Sequence, residues 1–209
     1  MFTERQQQII EAAVKLVADK GIQNFTIKNL SKEIGISEPA IYRHFTNKLD
    51  VLKNILVHMR NKMKPALNEL IKDGNSVDCI INFTSTQFHI FSQNHDLAKV
   101  IFAEANFQNE EELKNSIFLI MNRTQKLLND KITIAQQRGE INNEISAINL
   151  TRFIIGSMRF LVTQWNMSGA MFDIENEGIN LCADLRKLLQ SEQKNLALKL
   201  VNTTYGKHS

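Results

Sequence analysis

Hydrophobic residues recur at steps of three and four along almost the whole chain, with short polar breaks between the repeating segments. The first segment begins at Thr3, which stands three residues before Gln6 as in a capping box, and ends at Gly21. This spacing predicts an amphipathic helix over residues 4–20. With 2 prolines and 8 glycines in 209 residues, the chain has few of the turn signals that a sheet requires. The predicted fold class is all-α.

Three further helices are predicted in the next part of the chain. Thr26 is placed to cap a short helix that ends at Gly35, and Ser37 to cap a second short helix. Asn47 is placed to cap a longer helix, which Pro65 is expected to kink or end. Two short helices joined by a turn that contains glycine are typical of a helix-turn-helix.

The rest of the chain is predicted to form five long helices, separated by polar or glycine-containing breaks. They are placed at residues 76–94, 96–105, 110–138, 145–168 and 174–200. We divide the chain into a helix-turn-helix domain at residues 1–47, a connecting helix at about 48–64, a helical domain at 65–202 and a frayed tail at 203–209.

Charge is unevenly distributed along the sequence. Residues 1–64 carry 11 Lys and Arg against 6 Asp and Glu, and the remainder carries 14 against 16. The first segment therefore has a net charge of +5 and the remainder −2. A basic segment joined to a mildly acidic body is typical of a polyanion-binding domain, although chance asymmetry of a solvated surface gives the same counts.

Several classes of protein are disfavoured by what the sequence lacks. The N-terminus does not resemble a signal peptide, and no apolar run approaches membrane-spanning length, so we expect a cytoplasmic protein without a membrane partner. Cys79 and Cys182 stand alone, which favours buried reduced thiols over a disulfide or a metal site. The histidines are scattered, and there is no nucleophile motif or glycine-rich phosphate loop. We therefore expect no cofactor and no enzymatic activity.

The second short helix and its flanks carry the candidate DNA-contacting residues. Its outer face presents Tyr42, Arg43 and His44, which have the hydrogen-bonding groups to reach phosphates or base edges in a major groove. Residues at the starts of the neighbouring helices are placed to meet flanking phosphates. The complete candidate set is Thr26, Lys28, Ser37, Glu38, Ala40, Tyr42, Arg43, His44 and Lys48.

Motifs over nearly 50 residues resemble a known DNA-binding signature. Gly21, FTIK at 25–28, LSKEIGIS at 30–37, AIYRHF at 40–45 and NKLDVL at 47–52 match in type and spacing the signature of the tetracycline-repressor (TetR, AcrR-like) family. The resemblance implies a three-helix DNA-binding domain, a variable helical body with a ligand cavity, and a homodimer built on the last two long helices. It covers roughly the first quarter of the chain.

The resemblance also implies roles for individual positions. Those matching the family's phosphate contacts are Tyr42, His44 and Lys48, and those matching its base contacts are Ser37, Glu38, Ala40 and Arg43. The chain departs from the family pattern at Glu38 and Pro39, where small or polar residues are more usual. Glu38 either accepts a hydrogen bond from a cytosine amino group or caps the helix, and the sequence leaves both roles open.

Aromatic residues are concentrated in the body, with nine of the 12 phenylalanines between residues 83 and 172. Most such residues are expected to be core, and a subset with interleaved polar residues is predicted to line a pocket for an apolar ligand with a polar or anionic end. The predicted pocket residues are Phe88, His89, Phe102, Phe118, Met121, Asn122, Gln125, Arg159 and Trp165.

Two apolar stripes on the last two long helices predict a dimer interface, because such helices can pair with their symmetry mates in a four-helix bundle. The predicted interface residues are Phe153, Ile154, Ser157, Leu161, Leu185, Leu188 and Leu189. Dimerisation places two recognition helices on a palindromic site.

The sequence thus predicts a homodimeric transcriptional repressor that is released from double-stranded operator DNA by an unknown small-molecule effector. The sequence leaves two alternatives open. One is a ligand-independent DNA-binding or scaffold protein, and the other is a helical small-molecule-binding protein.

Overall fold

The computed structural model describes residues 2–102 and 111–190, which form nine α-helices and no strand. The helices are α1 (Glu4–Lys20), α2 (Ile27–Ile34), α3 (Glu38–Tyr42), α4 (Lys48–Ile71), α5 (Ser76–Gln93), α6 (His95–Ile101), α7 (Glu111–Gln137), α8 (Ala147–Met167) and α9 (Ile174–Leu189). The predicted all-α fold class is confirmed. Within these ranges, no helix is long and apolar enough to cross a membrane.

Side-chain caps begin the first two helices. The Thr3 hydroxyl accepts a hydrogen bond from the Gln6 amide, and the Gln6 side chain accepts one from the Thr3 amide, completing the capping box. Thr26 caps α2 by accepting from the Asn29 amide at 3.0 Å. Ser37 stands at the N-cap of α3, but the cap hydrogen bond expected of its side chain is absent. Because α3 has a proline in its first turn, fewer amide hydrogens there need a partner.

Pro65 is expected from the sequence to kink or end the fourth helix, which is placed at about residues 48–64. The predicted end is wrong, because α4 continues through Pro65 to Ile71. Proline in a helix interior loses one hydrogen bond and costs about 3 kcal/mol. Pro65 and Asn61, four residues earlier, are both exposed, so water can satisfy the freed carbonyl. Packing of the following turns against α5, with Ala66 and Leu70 buried, offsets the cost.

Three clusters of buried side chains hold the helices together. The first cluster contains side chains of the four helices α1, α2, α3 and α4. It also contains Leu97 and Val100 of α6 and Leu113 of α7. The second lies between α4, α5, α7, α8 and α9, and the third between α5, α6, α8 and α9. Because α6 and the start of α7 share the core of the first four helices, the N-terminal helices are packed firmly on the body.

Most of the predicted boundaries of the body helices agree with the structure to within a few residues. The helix predicted at 96–105 begins at His95 and is described to Ile101, and residues 103–105 lie outside the described ranges. The predicted end of the last helix at residue 200 is wrong, because α9 ends at Leu189 and the backbone of Gln190 at its C-cap is extended. Residues 191–200 lie outside the described ranges. The predicted frayed tail at 203–209 also lies outside the described residues.

Candidate DNA-binding face and ligand cavity

The turn between α2 and α3 has the backbone geometry that a helix-turn-helix needs. Gly35 adopts a left-handed conformation, with φ 74° and ψ 34°, which L side chains rarely adopt. Its amide and the Ile36 amide both donate to the Ser31 carbonyl, closing the end of α2. Beyond the turn, Ile41 and Phe45 are buried in the first core cluster. These contacts fix one face of α3 to the core and leave the opposite face outward.

None of the nine candidate DNA-contacting residues is buried. The exposed ones are Thr26, Lys28, Ser37, Tyr42 and Arg43, and the half-buried ones are Glu38, Ala40, His44 and Lys48. Tyr42 is 50% exposed although its ring is large and apolar. The residues come from the start of α2, from α3 and its ends, and from the start of α4. Each of them is therefore at least partly accessible to a ligand from solvent, and their contacts with DNA stay a prediction.

Lys48 is the first residue of α4, where a positive charge opposes the helix dipole. The first turn is otherwise well capped, since the Asp50 amide donates to Asn47 at 2.9 Å and the Asp50 carboxylate accepts from the Thr46 amide at 2.8 Å. A lysine beside a helix N-terminus makes an anion-binding position, because both the ammonium group and the dipole attract a phosphate.

A cavity of about 380 Å³ lies in the body between α4, α5, α6, α7 and α8. Its walls are mostly apolar, and this size is typical of a site for a small organic ligand. Phe83 and Phe91 of α5, both fully buried, contribute aromatic rings to the wall. Met59 and Met63 bring α4 to the same cavity. One helix therefore runs from the candidate DNA-binding face to the ligand cavity.

Three arginines also line the cavity, and its described lining contains no aspartate or glutamate. Arg60 and Arg152 are exposed, and Arg159 is half-buried with its guanidinium 5.8 Å from the centre of the Phe102 ring. Such a cation over an aromatic face is a stabilising arrangement. The cavity is therefore apolar inside with a positive charge at its exposed edge, which suits a ligand with an apolar part and an anionic part.

Four of the nine predicted pocket residues line this cavity, namely Phe102, Met121, Gln125 and Arg159. Two others lie on the outer surface of α7, where Phe118 and Asn122 are exposed. These positions share a helix with true lining residues but lie on another face of it.

The remaining three predicted pocket residues contact other parts of the chain. The Phe88 ring lies against Gly178 of α9. His89 is exposed, with Nδ1 2.9 Å from a Glu175 carboxylate oxygen, which lowers the pKa of that carboxyl group. The indole of Trp165 donates to the Phe172 carbonyl at 2.9 Å.

The structure adds lining residues that the sequence did not single out, among them Arg60, Met63, Gln87, Thr151 and Arg152. Arg60 and Met63 lie inside the helix predicted at about 48–64, but the spacing of residues in that helix does not indicate which side of it meets the body.

A second, polar cavity of about 280 Å³ lies where α1 and α4 meet the junction of α5 and α6, and both His58 and His95 line it. His58 is buried, and its Nδ1 lies 3.3 Å from the Gln7 side-chain nitrogen of α1. Burial lowers the pKa of His58, and nearby Lys62 lowers it further. Burial likewise lowers the pKa of His95. Both histidines thus favour the neutral form in the folded protein.

We expect the protein to lose stability as the pH falls below the ordinary histidine pKa of 6.5, because the unfolded chain takes up protons more readily than the folded one. The stabilisation is complete above that pKa and is lost as the pH falls toward the lowered one. His58→Gln is expected to lose less unfolding free energy than the parent protein between about pH 7.5 and about pH 5.5 in urea titrations. Equal losses in both proteins would contradict this assignment, and measurements above pH 7.5 serve as the baseline.

The residues of the predicted dimer interface fall into two groups. Ile154, Leu185 and Leu189 are buried within the chain, where they pack in the second core cluster. Phe153 and Leu188 are exposed, and Ser157 and Leu161 are half-buried. The same helices also expose Phe160 and Ile179, which are 64% and 58% exposed. The outward sides of α8 and α9 thus carry large apolar side chains of the kind that subunit interfaces cover.

Two family models match the chain. Residues 9–55 match the model of bacterial regulatory proteins of the tetR family, and residues 52–189 match that of the YsiA-like protein, C-terminal region. The chain belongs to the tetR family of bacterial regulatory proteins. Its members are transcriptional regulators and not enzymes, so the chain is a DNA-binding transcriptional regulator. The suspected family membership is confirmed.

Individual relatives extend over most of the chain. The fatty acid metabolism regulator protein of Bacillus subtilis is 27% identical over 168 residues, which cover 80% of this chain and 86% of the relative. The fatty acid degradation regulator FadR of Bacillus halodurans has a similar fold, with a TM-score of 0.76 at 21% identity over 89% of this chain and 96% of its own. FadR of Bacillus subtilis, solved in complex with stearoyl-CoA, has a TM-score of 0.72 and 22% sequence identity. The match covers 88% of this chain and 99% of that chain.

Proposed function

We propose that this tetR-family regulator is a homodimeric repressor that is released from its operator when an acyl-CoA occupies the body cavity. The observation that carries the proposal is the cavity itself, which joins an apolar interior to three arginines on its wall. An acyl-CoA has the matching chemistry, because it carries an apolar chain at one end and phosphates at the other. Residues 1–47 act as the DNA-binding domain, and residues 65–202 as the ligand-binding and dimerisation domain.

The names of the relatives support the same ligand class. The curated relative from Bacillus subtilis regulates fatty acid metabolism, and the FadR structure from that organism holds stearoyl-CoA. The cavity of the present chain supplies an independent reason. A neutral apolar ligand would gain nothing from Arg60 and Arg152, whereas an anionic head group can pair with exposed guanidinium groups without burying an unpaired charge.

The contacts of α4 and α6 offer a route from the cavity to the DNA. The first turns of α4 pack in the N-terminal core, where Val51 and Ile55 are buried, and Met63 lies on the cavity wall. Ile101 of α6 lines the cavity, and α6 also packs on α1. A ligand that favours a different position of these helices would change the separation of the two recognition helices in the dimer. Release requires that the ligand bind this second state more tightly than the DNA-binding state.

A fluorescence-anisotropy titration of the DNA upstream of the reading frame tests the proposal. We expect the protein to bind this fragment more tightly than random DNA, and dodecanoyl-CoA or stearoyl-CoA to weaken that binding by about 5-fold to 150-fold. Free coenzyme A, which lacks the chain, is expected to have little effect and serves as the control. Binding that no acyl-CoA changes would overturn ligand release.

One alternative has a specific observation in its favour. A nucleoid occlusion factor SlmA from Mannheimia succiniciproducens is 25% identical over 122 residues, which cover 57% of this chain and 56% of that protein. A ligand-independent DNA-binding protein would hold the same DNA with unchanged affinity in the presence of every acyl-CoA. The same titration therefore distinguishes the two functions.

A further inference from the structure

Gln87 is a buried polar residue on the wall of the ligand cavity, and its side-chain nitrogen lacks a hydrogen-bond partner in the described part of the chain. The residue is 6% exposed and lies on α5 between Phe83 and Phe91, which line the same cavity one turn away on either side. Leaving a buried donor unpaired is costly, so such groups are rare in folded proteins and call for an explanation. A ligand acceptor in the cavity would supply the missing partner.

Two other polar side chains on the cavity wall are already engaged within their own helices. The Thr151 hydroxyl donates to the Ala147 carbonyl at 2.8 Å, and the Thr124 hydroxyl donates to the Ile120 carbonyl at 3.2 Å. Their hydrogens are therefore directed to the backbone. Within residues 2–102 and 111–190, the Gln87 side-chain nitrogen is a buried donor without a hydrogen-bond partner.

We propose that Gln87 donates a hydrogen bond to the carbonyl oxygen of a bound acyl thioester. This inference rests on the proposed function and deepens it. The saturated chain of such a ligand has no acceptor, so the thioester carbonyl is the first acceptor that the chain brings into an apolar cavity. Exposed Arg60 and Arg152 hold the phosphates at the edge, and buried Gln87 meets the carbonyl farther in. Gln87 is thus a specificity-determining residue that recognises the acyl linkage.

The test compares dodecanoyl-CoA with S-dodecyl-CoA, a thioether of the same length in which a methylene replaces the carbonyl. By titration calorimetry we expect the parent protein to bind the thioester about tenfold more tightly than the thioether. Gln87→Leu is expected to bind both ligands with the same affinity, because the variant has no donor to lose. Gln137→Leu, an exposed glutamine at the end of α7 that does not line the cavity, is the matched control and is expected to keep the tenfold preference.

The possible outcomes separate failure of the role of Gln87 from failure of the proposed function. Equal binding of the two ligands by the parent protein, or an undiminished preference in Gln87→Leu, overturns the role of Gln87 and leaves the acyl-CoA response standing. Failure of the parent protein to bind either ligand overturns the proposed function, and the inference falls with it. Because leucine removes the unpaired donor, Gln87→Leu is expected to melt at or above the parent temperature. If Gln87→Leu does not fold, Gln87→Met replaces it in the same comparison of thioester and thioether affinities. The comparison on the parent protein still tests whether the carbonyl contributes to binding.

Discussion

Gly178→Ala is expected to lower the free energy of unfolding by about 1–3 kcal/mol, although alanine is the better helix former. Gly178 lies in the interior of α9, and an added Cβ would come 2.8 Å from Cβ of Phe88 and closer still to its Cγ. Cβ and Cγ of Phe88 are close to the backbone of α5, so a change of side-chain rotamer cannot move them far. The substitution therefore forces α5 and α9 apart, and the strain exceeds the gain in helix propensity.

Gly156 offers a matched control, because it is also a helical glycine but an added Cβ there meets no atom within 4 Å. Gly156→Ala is expected to be neutral or to stabilise the protein by up to about 1 kcal/mol. Urea unfolding of both variants at one pH measures the difference. If both substitutions raise the stability equally, the close packing of α5 against α9 is not a constraint on the fold. Combining Gly178→Ala with Phe88→Leu is expected to recover part of the loss, since the two sites are in contact.

Arg43→Ala is expected to weaken binding to the operator by about 1–3 kcal/mol per half-site, which is about 5-fold to 150-fold, and to weaken binding to random DNA far less. Arg43 follows α3 and is exposed, and its guanidinium group can donate two hydrogen bonds to one guanine. Because a homodimer presents the residue twice, the loss applies to both halves of the site. Anisotropy titrations on operator and random DNA at fixed salt measure the ratio.

Lys48→Ala is compared with Arg43→Ala for its loss of affinity on operator and on random DNA. A phosphate contact at the start of α4 carries no sequence information, so its loss is expected to weaken binding to both DNAs equally and to reduce the salt dependence by about one ion per protomer. Arg138→Ala, an exposed arginine after the end of α7, is expected to leave DNA binding unchanged. Equal losses on operator and random DNA for Arg43→Ala would remove its base-reading role.

The local elements of the fold could be predicted from the sequence, because local interactions specify them. The capping box at Thr3, the cap at Thr26 and the left-handed Gly35 each involve groups within a few residues of one another. The spacing of apolar residues then fixed which side of α3 faces the core and left Tyr42 and Arg43 outward. The family motif coincides with this helix-turn-helix, and it therefore allowed DNA binding to be predicted from the sequence as well.

The walls of the ligand cavity could be predicted only in part. An aromatic residue at helical spacing marks a buried face, but the same pattern serves a cavity wall and a close helix contact. Phe102 and Phe88 illustrate this difference, because the first lines the cavity and the second packs on Gly178. Which neighbour a face meets depends on how distant helices cross, and no local signal reports that crossing.

By itself, the sequence determined the all-α class, the helix-turn-helix and the division into a basic N-terminal segment and an apolar body. These follow from hydrogen bonds, periodicity and charge along short stretches of chain. Only the tertiary structure decided that α4 continues through Pro65 along the cavity, that three arginines lie on the cavity wall, and that the buried side-chain nitrogen of Gln87 has no partner among the described residues. Those features depend on contacts between helices far apart in the sequence, where packing energy overrides local preference.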